Sequence, residues 1–241
     1  MKKTIIILWL VAAASCIFAA GLTFDPFTLY TQKEALKTTP HTYEAWIKLP
    51  KDFAPRGGII AGNYGITAAI NFEISSGGAP RLYIDGTRKN SGVGLNADIQ
   101  FREVNAASGR WTHVAVILNE KEGRADCYIN GKLAQTLKEA SLNTSVGPIS
   151  DFTERPPLLP LVIGSDRRIG SPMYFKGAIR SVAEFADVRT PLEIKQDMYD
   201  LDTKDKDLLF YYSFKYNQEN DVIEDLAGNY PLYHEPNPYV I

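Results

Sequence analysis

Acidic side chains and histidines are the first residues to consider for catalysis, and their spacing gives little support for it. A glycoside hydrolase needs two carboxylates that face each other across a cleft, and the strand pattern E-x-D-x-x-E that often supplies them does not occur. Glu44 and Glu73 stand alone in their predicted strands. The three histidines, His41, His113 and His234, have no glycine-flanked nucleophile near them in the sequence. We therefore predict a non-catalytic protein and keep a glycoside hydrolase or lyase as the alternative.

Tyrosines with polar neighbours indicate a different chemistry, the binding of sugars. Tyr83 and Tyr128 lie on predicted strand faces opposite the aliphatic residues, and Tyr64 lies in a glycine-flanked loop. A sugar ring stacks its C–H face on an aromatic ring while nearby polar groups hold its hydroxyls. A purely structural role for these residues stays open, since tyrosine is a good strand former. The candidate ligand-binding residues are Tyr64, Arg81, Tyr83, Asp126 and Tyr128.

The elements that must position these residues are predicted to be antiparallel β-strands. Residues 112–118 form the clearest strand, because Val114, Val116 and Leu118 recur with a period of two. A polar loop, a second strand over 125–129 and the turn pair Asn130–Gly131 follow. Cys127 shares a strand face with aliphatic residues and is expected to be a small buried side chain.

The rest of the chain continues this β pattern and adds one helix. Asp85–Gly86 predicts a tight turn, and residues 136–158 are expected to be irregular. Thr190 and Glu193 form a T-x-x-E capping box, which predicts a short helix near residues 190–201. Further strands are predicted over residues 22–30, 42–49, 58–75 (two short strands), 81–85, 99–104, 161–164, 177–186 and, as the last strand, 208–215.

The first twenty residues predict export. Lys2–Lys3, an apolar run and small residues after it are typical of a secretory signal peptide over residues 1–20. The segment that ends at Ser15–Cys16 resembles a bacterial lipobox, so lipidation of Cys16 and ordinary cleavage near Ala14 or Ala19 both stay open. Removal of the leader leaves 24 basic and 28 acidic residues, a net charge of −4. A chain with this charge is not expected to bind nucleic acid.

Four stretches in order resemble the laminin-G-like, concanavalin A-like jelly-roll domains, including their pentraxin-like bacterial relatives. They are HTYEAWIK from residue 41, WTHVAV with CYINGKL from residue 111, LVIGS from residue 161 and FKGAI from residue 175. Members of this family often hold calcium at a loop rim, which implies Asp225 and Asn229 as candidate ligands of a structural Ca²⁺.

We therefore predict an all-β fold, an antiparallel two-sheet β-sandwich of jelly-roll type, in a single domain over residues 21–241. The resemblance implies a secreted or surface-anchored binding domain that recognises a glycan or a cell-surface glycoprotein. A structural or adhesion protein that binds another protein is the further alternative. The mature chain is expected to have no transmembrane helix and to lie outside the cell, in the periplasm or on the outer membrane, where a lipid on Cys16 would anchor it.

Overall fold

The structure is a computed structural model of the 241-residue chain. It describes residues 21–51, 53, 57–62, 70–88, 94–138, 143–144, 152–154, 160–166, 173–214 and 222–238. In these residues the chain forms strands β1 (Leu22–Thr23), β2 (Thr28–Thr31), β3 (Thr42–Lys48), β4 (Gly58–Gly62), β5 (Ile70–Ile74), β6 (Pro80–Arg88), β7 (Gly94–Gln100), β8 (Trp111–Asn119), β9 (Arg124–Ile129), β10 (Lys132–Lys138), β11 (Asn143–Thr144), β12 (Phe152–Glu154), β13 (Val162–Ile163), β14 (Ala178–Phe185), β15 (Leu208–Ser213), β16 (Val222–Ile223) and β17 (Leu232–Pro236), and the α-helix α1 (Pro191–Asp197).

These strands pair into two antiparallel sheets. Sheet A has the order β1-β14-β3-β8-β9-β10, and β15 also pairs with β14. Sheet B has the order β11-β7-β6-β5-β4-β13-β2-β17-β16, and β12 also pairs with β6. The predicted all-β, two-sheet antiparallel sandwich with a short helix is therefore confirmed.

The core lies between the two sheets and is built by alternate residues of each strand, as the period-two pattern predicts. Val114 and Val116 of β8 are fully buried there, and Leu82 and Ile84 of β6 are inward residues of sheet B. The intervening residues, such as Glu44 on β3, point away from the core. Each sheet therefore has an outer face that carries polar and aromatic side chains.

The turn Asn130–Gly131 between β9 and β10 forms as predicted. Both residues have positive φ, 50° for Asn130 and 71° for Gly131, which is the geometry that this pair tolerates. The Asn130 side chain also accepts a hydrogen bond from the backbone N–H of His113 at 2.9 Å. The turn is thus attached to the neighbouring strand β8.

Three predictions in the middle of the chain were wrong in whole or in part. Asp85–Gly86 is not a turn, because both residues pair with β7 inside β6. Residues 101–104 are not strand, since β7 ends at Gln100, although Phe101 and Val104 are buried. The segment that begins at residue 136 is not irregular throughout, because β10 continues to Lys138 and β11 and β12 lie within it.

The two ends of the described chain also differ from prediction. The aromatic segment near Pro26 is two strands, and β1 joins sheet A while β2 joins sheet B. β15 is not the last strand, because β16 and β17 follow and β17 pairs with β2. A pairing between strands about 200 residues apart leaves no local sequence signal.

Helix α1 is capped as the sequence predicts. The Thr190 hydroxyl accepts a hydrogen bond from the Glu193 N–H at 3.3 Å, and the Glu193 carboxylate accepts one from the Thr190 N–H at 2.8 Å. Ile194 is fully buried against Ala115, Ile117 and Tyr128. The helix therefore covers part of the outer face of sheet A. Within the described residues, no helix has the length and apolar character that a membrane crossing requires.

Candidate functional site

A pocket on the outer face of sheet A brings together aromatic and charged side chains from four strands and from the end of helix α1. Its volume is about 320 Å³, at the lower end of the range for small-molecule sites. We call it the sheet A pocket, and it is lined by Glu44, Ala45 and Trp46 of β3, His113 of β8, Arg180, Ser181 and Ala183 of β14, Tyr211 of β15, and Asp197, Met198, Tyr199 and Leu201.

Three aromatic side chains line the pocket. Trp46 is half-buried, and its indole N–H donates a hydrogen bond to the Met198 carbonyl at 3.1 Å, which ties β3 to the end of the helix. Tyr211 is half-buried and hydrogen-bonds with Ser181 and Ser213, while burial raises its pKa. Tyr199 is 77% exposed. The pocket therefore offers both fixed and solvent-facing aromatic surface.

Arg180 lies against two tryptophans. Its guanidinium carbon is 4.2 Å from the ring centroid of Trp111 and 5.6 Å from that of Trp46, distances typical of cation–π contacts. The register of β14 shifts between Ile179 and Ser181, so Arg180 sits at a β-bulge. Its Nε is buried without a hydrogen-bond partner. Burial lowers the pKa of this guanidinium.

Glu44 and His113 form a buried pair beside Trp46. His113 Nε2 lies 3.1 Å from Glu44 Oε2, and both side chains are 3% exposed. Glu44 Oε1 and His113 Nδ1 are buried without partners. The His113 ring also packs against Trp46, with centroids 5.4 Å apart. His113 is therefore packed and hydrogen-bonded, and Glu44 no longer stands alone as it does in the sequence.

Asp197 supplies a second carboxylate to the pocket and is bound by Arg189. Its Oδ2 accepts hydrogen bonds from Arg189 Nε at 3.0 Å and Nη2 at 2.7 Å. Arg189 also donates to Asp205 at 2.7 Å. Burial, and then the charge of Glu44, raise the pKa of Asp197 to about 6 in spite of this arginine. Arg189 thereby attaches the end of α1 to the loop that precedes β15.

The predicted candidates Arg81 and Tyr83 lie on the other side of the molecule, on the outer face of sheet B. Arg81 is paired with two carboxylates, those of Glu73 and Asp98, and its guanidinium carbon is 5.1 Å from the Tyr83 ring centroid. Burial disfavours the charged form of Arg81, but the hydrogen bonds and charges of Asp98 and Glu73 outweigh it and raise the pKa of Arg81. Its charge is therefore already balanced within the chain.

Asp126 and Tyr128 lie on sheet A but outside the pocket. Tyr128 is 5% exposed and packs against Ile194 of the helix. Asp126 accepts hydrogen bonds from Arg124 at 2.9 Å and from Thr136 at 2.6 Å. The structure therefore does not bring the candidate ligand-binding residues Arg81, Tyr83, Asp126 and Tyr128 together in one site. The other candidates Tyr64 and Cys16 lie outside the described residues.

Asp225, a candidate calcium ligand, is engaged in a turn. Its carboxylate accepts backbone hydrogen bonds from Tyr211, Ala227, Asn229 and Tyr230 at 2.8 to 3.0 Å. The Asn229 side chain donates to the Leu209 carbonyl at 3.2 Å. In the part of the chain that the structure describes, no group of three or more His, Cys, Asp or Glu is arranged to hold a metal ion. These contacts explain the buried carboxylate of Asp225 without a cation.

Sequence reasoning missed most of the pocket. Trp46 lies inside the motif EAWIK, and Arg180 directly follows the motif FKGAI. The family resemblance could therefore have drawn attention to both residues. Asp197 and Tyr211 have no comparable signal. Their place in the pocket depends on where the helix and β15 pack, which no local pattern contains.

Comparisons with known proteins bear on the fold and the family. The family model described as the concanavalin A-like lectin/glucanases superfamily matches residues 24–195. No curated protein matches the chain.

Three solved structures illustrate the likeness. A protein of Bacteroides ovatus, provisionally described as carbohydrate binding, is 19% identical with a TM-score of 0.47, over 88% of this chain and 59% of its own length. The heptameric SAP-like pentraxin of Limulus polyphemus is 16% identical with a TM-score of 0.46, over 74% and 79% of the two chains. The CBM40 module of the Ruminococcus gnavus IT-sialidase is 17% identical with a TM-score of 0.48, over 74% and 96%. The chain thus spans less than two thirds of the Bacteroides protein.

Proposed function

Because the chain belongs to the concanavalin A-like lectin/glucanases superfamily, we propose that it is a non-catalytic carbohydrate-binding domain with its ligand in the sheet A pocket. The observation that carries this proposal is the convergence of Trp46, Tyr199 and Tyr211 with polar groups in one pocket. Aromatic faces bind the apolar faces of sugar rings, and hydroxyl and charged groups fix the sugar hydroxyls. The ligand that we propose is a glycan or a cell-surface glycoprotein.

Export is part of the same proposal. The basic and apolar leader over residues 1–20 supports secretion, and a lipid on Cys16 would hold the domain at the membrane surface. A surface location would place the pocket where glycans are displayed.

The two carboxylates in the pocket favour one alternative, a glycoside hydrolase. Glu44 and Asp197 line the same pocket, and the pKa of Asp197 is raised to about 6, as a general acid requires. We prefer binding, because Glu44 is bonded to His113 and Asp197 to Arg189. Incubation of the protein with oligosaccharides tests the alternative: release of reducing sugar by the wild type, lost in Glu44→Gln, would establish a hydrolase.

A glycan array with the full chain tests the proposal, in buffer with calcium and in buffer with EDTA. Tyr199→Ala removes a side chain that is 77% exposed, so its fold is expected to be intact. We expect this variant to lose affinity about fivefold, since stacking on one aromatic ring contributes on the order of 1 kcal/mol. Trp46→Phe is expected to weaken binding less than Trp46→Ala.

The matched control is Phe27→Ala, which removes an aromatic ring that is 65% exposed and lies outside the pocket. Its glycan binding should equal that of the wild type. Tyr83→Ala reports on the outer face of sheet B. Loss of binding in Tyr83→Ala with retention in Tyr199→Ala and Trp46→Ala, or no glycan bound in either buffer, would contradict the proposal.

A further inference from the structure

Both carboxylates of the sheet A pocket have a hydrogen-bond partner within the chain. Glu44 is bonded to His113, and Asp197 to Arg189. Arg180 forms no ion pair and no side-chain hydrogen bond with any residue that the structure describes, and its Nε is buried without a partner. Among the residues that the structure describes, Arg180 is thus the charged group of this pocket without an ion-pair partner.

The position of Arg180 suits it to bind rather than only to pack. Its guanidinium lies against the rings of Trp111 and Trp46, and contacts of this kind use the face of the group and leave its N–H donors in the plane. A buried N–H without an acceptor costs free energy. An aliphatic side chain would pack against the two indoles without this cost.

We propose that the sheet A pocket binds an acidic sugar residue and that Arg180 holds its carboxylate. This inference rests on the proposed function and names the ligand class of the same site. A planar guanidinium forms paired hydrogen bonds with a carboxylate, which a point charge cannot match. Ser181 and Tyr211 line the same pocket and are hydrogen-bonded to each other, and each hydroxyl oxygen has a further lone pair that can accept from a sugar hydroxyl.

The pocket also limits the size of the ligand. A volume of about 320 Å³ is near the lower limit for small-molecule sites. It suits a terminal sugar residue better than a long segment of polysaccharide. The ligand class is therefore an oligosaccharide that ends in a carboxylated sugar.

The experiment measures affinity by titration calorimetry for four oligosaccharides that share one backbone. The first ends in a uronic acid, the second in its methyl ester, the third in a sulfated sugar and the fourth in a neutral sugar. We expect tightest binding of the uronic acid and at least about tenfold weaker binding of the methyl ester, because the ester removes the charge of the group that accepts the hydrogen bonds of Arg180. The sulfated arm distinguishes recognition of a carboxylate from recognition of any anion.

Variants of Arg180 assign the effect to this side chain. Arg180→Met keeps the packing against the indoles, breaks no ion pair and should fold. We expect its affinity for the uronic acid to fall at least about tenfold further than its affinity for the neutral sugar. Arg180→Lys keeps the charge without the planar fork and should be intermediate. Arg102→Met removes an exposed positive charge outside the pocket and is the matched control.

The outcomes separate this inference from the proposed function. If the neutral sugar and the uronic acid bind equally and Arg180→Met has no effect, the domain is a lectin but the acidic ligand is wrong. If the sulfated sugar binds most tightly, the inference that the pocket recognises a carboxylate is likewise wrong. If none of the four ligands nor any glycan of the array binds, the proposed function itself fails.

Discussion

Glu184 of β14 is a carboxyl group buried inside the sandwich. Its neighbours Ala183 and Phe185 belong to a cluster on the outer face of sheet A, so alternation places Glu184 on the inner side. It is 2% exposed, and its Oε2 has no hydrogen-bond partner. Burial raises its pKa well above the ordinary value. The folded protein therefore binds this proton more tightly than the unfolded chain does.

This difference predicts how stability depends on pH. The protonated carboxyl favours folding fully below the unfolded pKa of about 4.3, and this contribution is lost as the pH rises through the higher folded pKa. Glu184→Gln imitates the protonated form. We expect urea unfolding at pH 4 to give similar stabilities, and at pH 8 the variant should be more stable by at least about 1 kcal/mol. The free energy of unfolding of the exposed control Glu103→Gln should equal that of the wild type at every pH. If the free energies of Glu184→Gln and the wild type change with pH in parallel, the prediction is wrong.

At the scale of elements, helix α1 depends on its surroundings. Seven residues are too few for a stable isolated helix. The capping box at Thr190, the burial of Ile194 and the hydrogen bonds from Arg189 to Asp197 hold it on sheet A. The residues that follow it supply one wall of the sheet A pocket. Order in this helix and order in the pocket are therefore linked.

Loss of the cap tests this link. Thr190→Ala removes the hydroxyl that binds the Glu193 N–H and should lower the free energy of unfolding by about 1 kcal/mol. Hydrogen exchange of the helix amides should speed up, while exchange in β8 stays unchanged. Thr190→Ser keeps the hydroxyl, so its free energy of unfolding and its helix exchange rates should equal those of the wild type. Equal exchange in the alanine variant and the wild type would show that packing alone fixes the helix.

At the scale of the whole molecule, the sandwich encloses its one described cysteine. Cys127 lies on β9, between β8 and β10 in sheet A, and is fully buried and free. Burial raises the pKa of this thiol, so the reactive thiolate is disfavoured. A reagent can reach the sulfur only when the sheets separate.

The thiol is therefore a probe of global unfolding. In a Cys16→Ser background, we expect a disulfide reagent to label the folded protein slowly, and the rate should rise with urea in parallel with the unfolding constant. Cys127→Ala should give no signal. Rapid labelling in buffer alone would mean that sheet A opens locally near β9.

The strands could be predicted from the sequence wherever alternation is strong. The period-two alternation of hydrophobic residues identified β8 and the inward residues of β6. The capping box at Thr190 identified the start of the helix. These features depend on residues that are close in the chain. Turn chemistry was less dependable, since Asp85–Gly86 is held in β6 by its pairing with β7.

The pocket was decided by tertiary structure. Trp46, His113, Arg180, Asp197 and Tyr211 are far apart in the chain and meet because their strands pair in sheet A and the helix packs over it. The same packing buries Tyr128 and separates it from Tyr83 on the opposite face. The amino-acid sequence by itself thus determined the strongly alternating strands, the helix cap and the family, because these depend on local spacing. Which side chains share a pocket depends on long-range pairing, and only the folded chain contains that information.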